Sequence, residues 1–309
     1  MATRDLTAGV EPRLRARRRR YGEDVVKGVL AVCALISVAT TVGIVVALFV
    51  PAFEFFQEIS IVDFLTGRDW SPLFEPAHFG VLPLVSGTLL VTAIASAVAM
   101  PFGLGAAIYL SEYASPRTRG ILKPAFEVLA GIPTIVFGYF ALTFVTPLLR
   151  DLGIQVDIFN TLSAGLVMGV MLMPTVASLS EDAMGAVPRD LRDGAYALGS
   201  TKLQVATRIV VPAAVSGIVA SFVLAISRAV GETMIVLIAM GQQPNITFDP
   251  REAAETMTAF IAATGAGDVP TGSIEYKTIF AVGALLFVLT LVMNVFAIRL
   301  VRKYREVYE

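Results

Sequence analysis

The chain has 309 residues, of which 56% are hydrophobic and 16% are charged, with a mean hydropathy of +0.74. Soluble domains carry about 25% charged residues, so this composition excludes a soluble globular protein and indicates an integral membrane protein. A single Cys excludes a disulfide framework and a Cys-based metal site, and a single His argues against a His-rich site, whereas the net charge of −1 is uninformative by itself.

Six apolar runs are each long enough to cross a hydrocarbon core, which requires roughly 20 residues. We place them at 29–50, 82–110, 125–149, 161–179, 213–240 and 277–298. The second, third and fifth runs contain internal Pro or Gly, which membrane helices tolerate where neighbouring helices satisfy the freed backbone groups. The sequence therefore predicts an all-α polytopic membrane protein with six transmembrane helices.

Lys and Arg are distributed unevenly between the two sides of these spans. Of the 24 such residues, 19 lie in the N-terminal tail, the 111–124 loop, the 180–212 loop and the C-terminal tail, and only four lie in the opposite loops. The positive-inside rule therefore predicts that both termini are cytoplasmic. Because the Arg run at 17–20 adjoins the first span, we interpret it as a topology determinant rather than a nucleic-acid patch, and the span as an uncleaved anchor.

The loops on the opposite side are acidic, with Asp and Glu concentrated at 54–75 and 249–275. A solvated loop surface explains such a charge pattern, and a docking site for a partner is the alternative. Near the cytoplasmic end of the third run, Glu127 has Lys123 four residues before it, so we expect a pair of snorkelling side chains there.

The 180–212 loop is long for a bundle connection and reads SEDAMGAVPRDLRDGAYALGSTKLQVATRIVVP. Pro188 can begin a helix, and apolar residues follow at helical spacing up to Gly199, which has the place of a C-cap glycine. Either of the two hydroxyl residues after Gly199 can cap a second helix that stops near Pro212. Two short helices joined by a sharp turn form a compact knob, which could receive force from a soluble partner.

This loop resembles the coupling motif of ABC-importer permeases, E-A-A-x3-G-x9-I-x-L-P. Asp replaces Glu, Gly replaces Ala and Val replaces Leu, but every spacing is kept. In that family the loop docks into a groove of a cytoplasmic ATPase. The resemblance implies that the ATPase-coupling residues are Asp193, Gly194, Ala195, Gly199, Ile209 and Pro212.

The same loop also approaches a P-loop between Gly194 and Thr201, but Ser200 stands where the phosphate-binding Lys is required, and no strand precedes it. We therefore expect no cofactor in this chain, with ATP and Mg²⁺ bound by a partner ATPase.

Further segments resemble the permeases of phosphate (Pst) ABC importers, and the PstC-like subunit rather than the PstA-like one. They occur in order at 70–72, 79–84, 86–89, 109–113, 127–133 and 228–234. The resemblance covers the chain from about residue 21. It implies a type I ABC importer permease (MetI-like) bundle in a bacterial or archaeal cytoplasmic membrane, forming half of a phosphate path that works by alternating access. The implied partners are a PstA-like second permease, a PstB-like ATPase dimer and an extracytoplasmic PstS-like phosphate-binding protein.

Arg228 lies deeper in an apolar run than any other Lys or Arg, where a charge costs at least about 2.5–3.5 kcal/mol. Glu232 follows at i+4, so we predict that both side chains share one helix face as an ion pair. The guanidinium fork matches phosphate oxygens, and Glu232 could accept a hydrogen bond from a protonated phosphate oxygen. We therefore predict that Arg228 and Glu232 line the substrate path, with a purely structural ion pair as the alternative.

The predicted organisation is a basic cytoplasmic tail at 1–24, the first span and an extracytoplasmic loop at 25–80, a permease core at 81–299 with its coupling loop at 181–212, and a cytoplasmic tail at 300–309.

Two other transport functions stay open, namely a permease for molybdate, sulfate or phosphonate, and a secondary transporter that uses Glu232 as a proton relay. A membrane enzyme is disfavoured because the spans contain neither a cluster of metal ligands nor a nucleophile–base pair.

Overall fold

The computed structural model describes residues 21–304, and the side chains of residues 23–299. The predicted basic run at 17–20 lies outside the described residues, as do the rest of residues 1–20 of the predicted N-terminal tail and residues 305–309 of the predicted C-terminal tail. In chain order the helices are α1 (Tyr21–Glu58), α2 (Ile61–Thr66), α3 (Leu82–Ile108), α4 (Pro116–Ala130), α5 (Thr134–Phe140), α6 (Thr146–Asp151), α7 (Thr161–Gly185), α8 (Arg189–Ala197), α9 (Lys202–Val205), α10 (Val211–Ala213), α11 (Val215–Val230), α12 (Met234–Ala239), α13 (Met257–Gly265) and α14 (Ile274–Tyr304).

Three π-helical segments extend or join these helices, at Tyr109–Tyr113, Ala141–Val145 and Ala206–Val210. The two short strands β1 (Trp70–Ser71) and β2 (His78–Phe79) pair antiparallel, with Trp70 opposite Phe79. The chain divides between Ala47 and Leu48 into two units. The described part of the first unit is residues 21–47 of α1, whose apolar side chains are almost all exposed. Every contact given below lies within the second unit.

Four of the six predicted spans are single helices long and apolar enough to cross a membrane. They are Glu23–Glu58, Leu82–Tyr113, Thr161–Gly185 and Ile274–Arg299. Two bent pairs overlap the other two predicted spans. Pro116–Ala130 with Thr134–Asp151, at 87°, contains the run at 125–149, whereas Lys202–Ala213 with Val215–Val230, at 71°, begins inside the predicted coupling loop and ends before residue 240. Length and composition thus allow up to six spans, in agreement with the all-α prediction.

Two of the runs that contain internal Pro or Gly are interrupted at those residues, namely at Gly131 and Pro133 and at Gly231. The run at 125–149 breaks at 131–133, where Pro133 has an extended backbone that no helix continues through. The run at 213–240 breaks at 231–233, between the end of α11 and the start of α12. In both places the apolar composition continues across the break, so hydropathy alone cannot reveal it.

The main core lies where α3 packs on α7, with side chains of α11 and α12 completing it. Small residues on α7 allow the close approach, because a Cβ on Gly165 would lie 2.7 Å from the Ile94 side chain and one on Gly169 would lie 2.6 Å from the Val98 side chain. Membrane helices associate through such small residues because packing, rather than the hydrophobic effect, holds them together. The α3–α7 pair is therefore a rigid frame for the elements around it.

A second cluster fills the end of the bundle where α3 begins. Phe55, Phe64, Trp70 and Phe260 are all nearly fully buried, and edge-to-face contacts link them into a chain. This aromatic cluster ties α2 and β1 to α13, and it lies at the opposite end of α3 from the segment at 109–113.

Candidate functional site

The predicted knob exists and has the predicted turn. Pro188 is the N-cap of α8, and Gly199 ends it with φ +81°. The backbone N–H of Gly199 donates to Tyr196 O at 2.9 Å, and that of Ser200 donates to Ala195 O at 3.1 Å. These two bonds form a Schellman motif, which favours glycine because an L side chain is strained in the left-handed region.

The second helix of the knob begins with a capping box. The Thr201 side chain accepts the backbone N–H of Gln204, while the Gln204 side chain accepts the backbone N–H of Thr201. Helical structure then continues through Pro212 to Ala213, before the bend into α11. The prediction that this helix stops near Pro212 is therefore confirmed to within one residue.

The knob has a packed inner face and an open outer face. Ala195, Val205 and Val210 are buried against the ends of α3 and α7 in a third apolar cluster. Leu198 is 89% exposed and Leu203 is 61% exposed. The outer face of the knob therefore presents apolar side chains to its surroundings.

The predicted coupling residues divide between these two faces. Asp193, Gly194, Gly199 and Pro212 are exposed, whereas Ala195 is buried and Ile209 is partly buried. Because their side chains are buried or partly buried, Ala195 and Ile209 hold the knob against the bundle. The other four coupling residues are open to a partner.

Arg228 and Glu232 do not form the predicted ion pair. Helix α11 ends at Val230, so the i, i+4 geometry on which the prediction relied is lost before Glu232. The Arg228 side chain is exposed, and its Nη1 donates to Thr175 Oγ1 of α7 at 3.3 Å. Within the described part of the chain, no salt bridge joins the two residues.

The Glu232 carboxylate is buried and has taken a different role. Its Oε1 accepts the backbone N–H groups of Met234 at 3.1 Å and Ile235 at 3.4 Å, at the start of α12. A carboxylate suits this place because a helix leaves its first N–H groups without intrahelical partners and carries a partial positive charge there. The break between α11 and α12 therefore separates an exposed cation from a buried, backbone-bonded anion.

The expected pair of Lys123 and Glu127 was also wrong. Lys123 of α4 donates instead to Glu181 Oε2 at 2.9 Å and to Asp182 Oδ1 at 3.1 Å. Arg119, one turn earlier, also pairs with Glu181, which is only 1% exposed. A carboxylate so buried needs full compensation, and two cations from α4 supply it. This network fixes α4 to the C-terminal part of α7.

A buried carboxylate also lies at the opposite end of the bundle. The acidic loop at 249–275 was predicted to be solvated, but Glu255 is only 5% exposed. The segment that carries it packs on α3, where the backbone N–H of Met257 donates to Thr88 Oγ1 at 3.1 Å. Burial raises the pKa of Glu255 to about 7. Asp249, by contrast, is held by Arg251, which lowers the pKa of its carboxyl to about 2.

Replacing Glu255 with Gln is expected to stabilise the protein at pH 8 and to have little effect near pH 4.5. The folded protein holds the Glu255 proton up to about pH 7, whereas the unfolded chain releases it near the ordinary value of 4.5. The folded state therefore binds more protons between these values, so stability falls as pH rises through that window. The full penalty at pH 8 is about 3 kcal/mol, which Gln removes.

Thermal unfolding in detergent at pH 5 and pH 8 measures this difference. Asp249→Asn is the matched control, because a carboxyl with a pKa of about 2 is ionised at both pH values and should shift the midpoint equally at each. A Glu255→Gln midpoint shift that is the same at both pH values would contradict the titration of Glu255.

Across the described residues, His, Cys, Asp and Glu form no group of three or more that could hold a metal ion.

Comparison with known proteins identifies the chain's family. Residues 99–306 match the family of binding-protein-dependent transport system inner membrane components. The chain belongs to this family.

Two relatives of this transport component carry more specific names. It is 33% identical over 285 residues to the probable ABC transporter permease protein YqgH of Bacillus subtilis, covering 91% of this chain and 92% of the relative. It is 32% identical over 270 residues to the phosphate transport system permease protein PstC of Mesorhizobium japonicum, covering 80% of each chain.

Solved structures share the fold of the transport component. A bacterial ABC transporter for the polysaccharide alginate matches with a TM-score of 0.63 at 16% identity, covering 93% of this chain and 100% of that one. The MetNI methionine ABC transporter matches with a TM-score of 0.56 at 18% identity, covering 74% of this chain and 95% of that one. The prediction of a MetI-like ABC importer permease fold is confirmed.

Sequence reasoning missed several charged residues of this transport component. Glu181 and Glu112 lie at the cytoplasmic ends predicted for two spans, and Arg192 stands immediately before the coupling motif. Their only sequence signal was a charge beside an apolar run, which normally indicates a solvated helix end. Their partners lie 58 to 80 residues away, so local spacing could not identify them.

Proposed function

We propose that the chain is the transmembrane permease subunit of an ATP-driven importer of inorganic phosphate, forming half of the translocation path. The observation that carries this proposal is the similarity to PstC proteins over most of the chain, at 32% identity in Mesorhizobium japonicum and 28% in Methanocaldococcus jannaschii. The family itself supplies the coarser statement, that the chain is a membrane component of a binding-protein-dependent transport system.

Arg228 supplies the chemistry for an anion path. Its guanidinium is exposed on a helix with no other charged residue, and among the described residues its hydrogen bond is to neutral Thr175, with no salt bridge to compensate its charge. A planar guanidinium binds two phosphate oxygens at once, which gives both charge and direction. We therefore assign the first contact with phosphate in the path to Arg228.

Glu232 has a narrower role in this proposal. Its carboxylate is bonded to the backbone at the start of α12, so the second oxygen is the one left for substrate. An oxygen that only accepts hydrogen bonds favours an anion that carries a proton. Hydrogen phosphate carries one at neutral pH and sulfate does not, so Glu232 would favour phosphate.

The partners follow from the same proposal. A PstA-like permease completes the path, a PstB-like ATPase dimer with ATP and Mg²⁺ binds the coupling loop, and a PstS-like protein delivers phosphate from outside. The loop is exposed at the end of α7, as docking to an ATPase requires. The distribution of Lys and Arg supports a cytoplasmic position for that end and for both termini.

The test is uptake by the purified complex in proteoliposomes, with the binding protein outside and ATP inside. We expect uptake of labelled phosphate only with ATP, and competition by unlabelled phosphate but not by a tenfold excess of sulfate, molybdate or phosphonate. Equal competition by one of those anions would assign the permease to it instead. Uptake driven by a proton gradient without ATP would identify a secondary transporter.

A further inference from the structure

Arg192 of α8 has an unusually complete set of contacts for a residue in a projecting loop. Its Nη1 donates to Val187 O at 2.6 Å, and its Nη2 donates to Met184 O at 2.8 Å and to Glu112 Oε1 at 3.0 Å. Its Nε also donates to Glu112 Oε1, at 3.3 Å. The side chain is only 16% exposed, so these bonds replace almost all of its contact with water.

The partners of Arg192 belong to the ends of two predicted spans. Glu112 lies in the π-helical segment that ends the second span, is 5% exposed, and also accepts from Ser111 Oγ. Met184 lies in the last turn of α7 and Val187 lies two residues beyond its end, where the last carbonyls lack intrahelical donors and attract a cation. One guanidinium therefore joins α8 to both helices of the rigid α3–α7 frame.

Residues 186–188 join the knob covalently to α7, whereas the covalent route on its other side is less direct. It runs through α9 and α10 to Ala214, where the chain bends by 71° before α11. A bend at a single non-helical residue can absorb rotation. The contact through Arg192 has no such joint, because it links α8 directly to helices that cross most of the bundle.

Helix α7 also connects this contact to the candidate substrate residue. Thr175, which accepts from Arg228, lies on the same helix as Met184, nine residues earlier. At a rise of 1.5 Å per residue the two positions are about 13 Å apart along one helix. Displacement of the C-terminal end of α7 therefore moves Thr175, which accepts the hydrogen bond from Arg228.

We propose that Arg192 is a positioning residue that makes the coupling helix move as one body with α3 and α7, so that movement of the ATPase reaches the substrate path through this contact. The inference rests on the proposed function, because it requires a separate ATPase that binds the knob. It also assigns Glu112 as the partner that holds Arg192 in place.

The same end of the bundle offers a matched control. Glu181 is buried, pairs with two cations and lies on α7, as Met184 does, but its salt bridges join α7 to α4 and none within the described residues joins it to α8. Removing its charge should therefore weaken the fold, as removing the charge of Glu112 should, without disturbing the polar contact between α8 and the bundle. Any difference between Glu112→Gln and Glu181→Gln reports on coupling rather than on stability.

The experiment compares the ratio of phosphate transported to ATP hydrolysed in the reconstituted complex. We expect this ratio to fall at least tenfold in Arg192→Gln, which loses all three acceptors, and by less in Glu112→Gln, whose amide oxygen can still accept from Arg192 but carries no charge. The double variant should fall no further than Arg192→Gln. Glu181→Gln is expected to lower the unfolding temperature and keep the unmodified ratio. Co-purification of the ATPase shows that the knob still docks, and Glu112→Gln, the most conservative change, serves if Arg192→Gln does not assemble.

An unchanged ratio in an assembled Glu112→Gln complex would overturn the inference, as would an equal fall in Glu181→Gln. These outcomes differ from failure of the proposed function, in which the unmodified complex itself transports no phosphate. Arg192→Lys provides a further check, because Lys keeps the charge but cannot reach three acceptors in one plane. Its ratio should lie between those of Arg192→Gln and the unmodified complex.

Discussion

Replacing Arg228 with Ala is expected to reduce ATP-driven phosphate uptake by about 30-fold or more. Truncating one partner of a charge contact that bound substrate shields from water costs about 2–5 kcal/mol, and 2 kcal/mol corresponds to a factor of about 30. The loss should fall on transport and not on folding, because without substrate the side chain is exposed and, among the described residues, is hydrogen-bonded only to Thr175, at the long distance of 3.3 Å. Initial rates of labelled phosphate uptake into proteoliposomes measure it.

Arg251→Ala is the matched control for this change. Arg251 is also an exposed Arg, but it lies in the loop after α12 and is paired with Asp249. Its removal should change uptake less than twofold. Arg228→Lys separates charge from shape, because a Lys keeps the charge but loses the bidentate fork, so we expect an intermediate rate. Normal uptake by Arg228→Ala would show that the residue is structural.

Glu232→Gln completes the same test from the anionic side. Gln keeps a side-chain oxygen that can accept from Met234 and Ile235, so the start of α12 should be preserved. We expect reduced phosphate uptake together with increased competition by sulfate, because the amide also offers a donor to an anion without a proton. Unaltered uptake and unaltered competition would limit Glu232 to its capping role.

Local features of the knob could be predicted because short-range chemistry determines them. The turn at Gly199 depends on one residue without a Cβ, and the cap at Thr201 depends on a hydroxyl three residues before a Gln. Both are decided within one or two helical turns. The turn and the second helix of the knob could therefore be predicted from residues that lie close together in the sequence.

The charged contacts could not be predicted because they join residues distant in the sequence. The i, i+4 rule assigned Lys123 to Glu127, but Glu181 is more deeply buried and needs a counter-charge more strongly. The same rule assigned Glu232 to Arg228 across a helix that ends at Val230. Spacing rules hold only while the helix continues, and here a break in an apolar run left no signal in hydropathy.

Gly199→Val is expected to abolish coupling while leaving the membrane bundle folded. A residue with φ +81° lies in the left-handed region, which costs an L residue about 1–2 kcal/mol and a β-branched one more. The chain can relieve that strain only by breaking the bonds to Tyr196 O and Ala195 O, which set the direction of α9 relative to α8. We expect loss of co-purifying ATPase and at least a tenfold loss of ATP-driven uptake.

Gly194→Ala is the control that makes this result specific to backbone conformation. Gly194 lies inside α8, and a Cβ there would meet nothing within 4 Å. Ala also stands at this place in the coupling motif that the loop resembles, and it favours a helix interior over Gly by about 0.5–1 kcal/mol. Gly194→Ala should therefore keep full uptake and raise stability slightly. If Gly199→Val retained ATPase binding and uptake, the knob would not need its turn, and force would have to enter the bundle elsewhere.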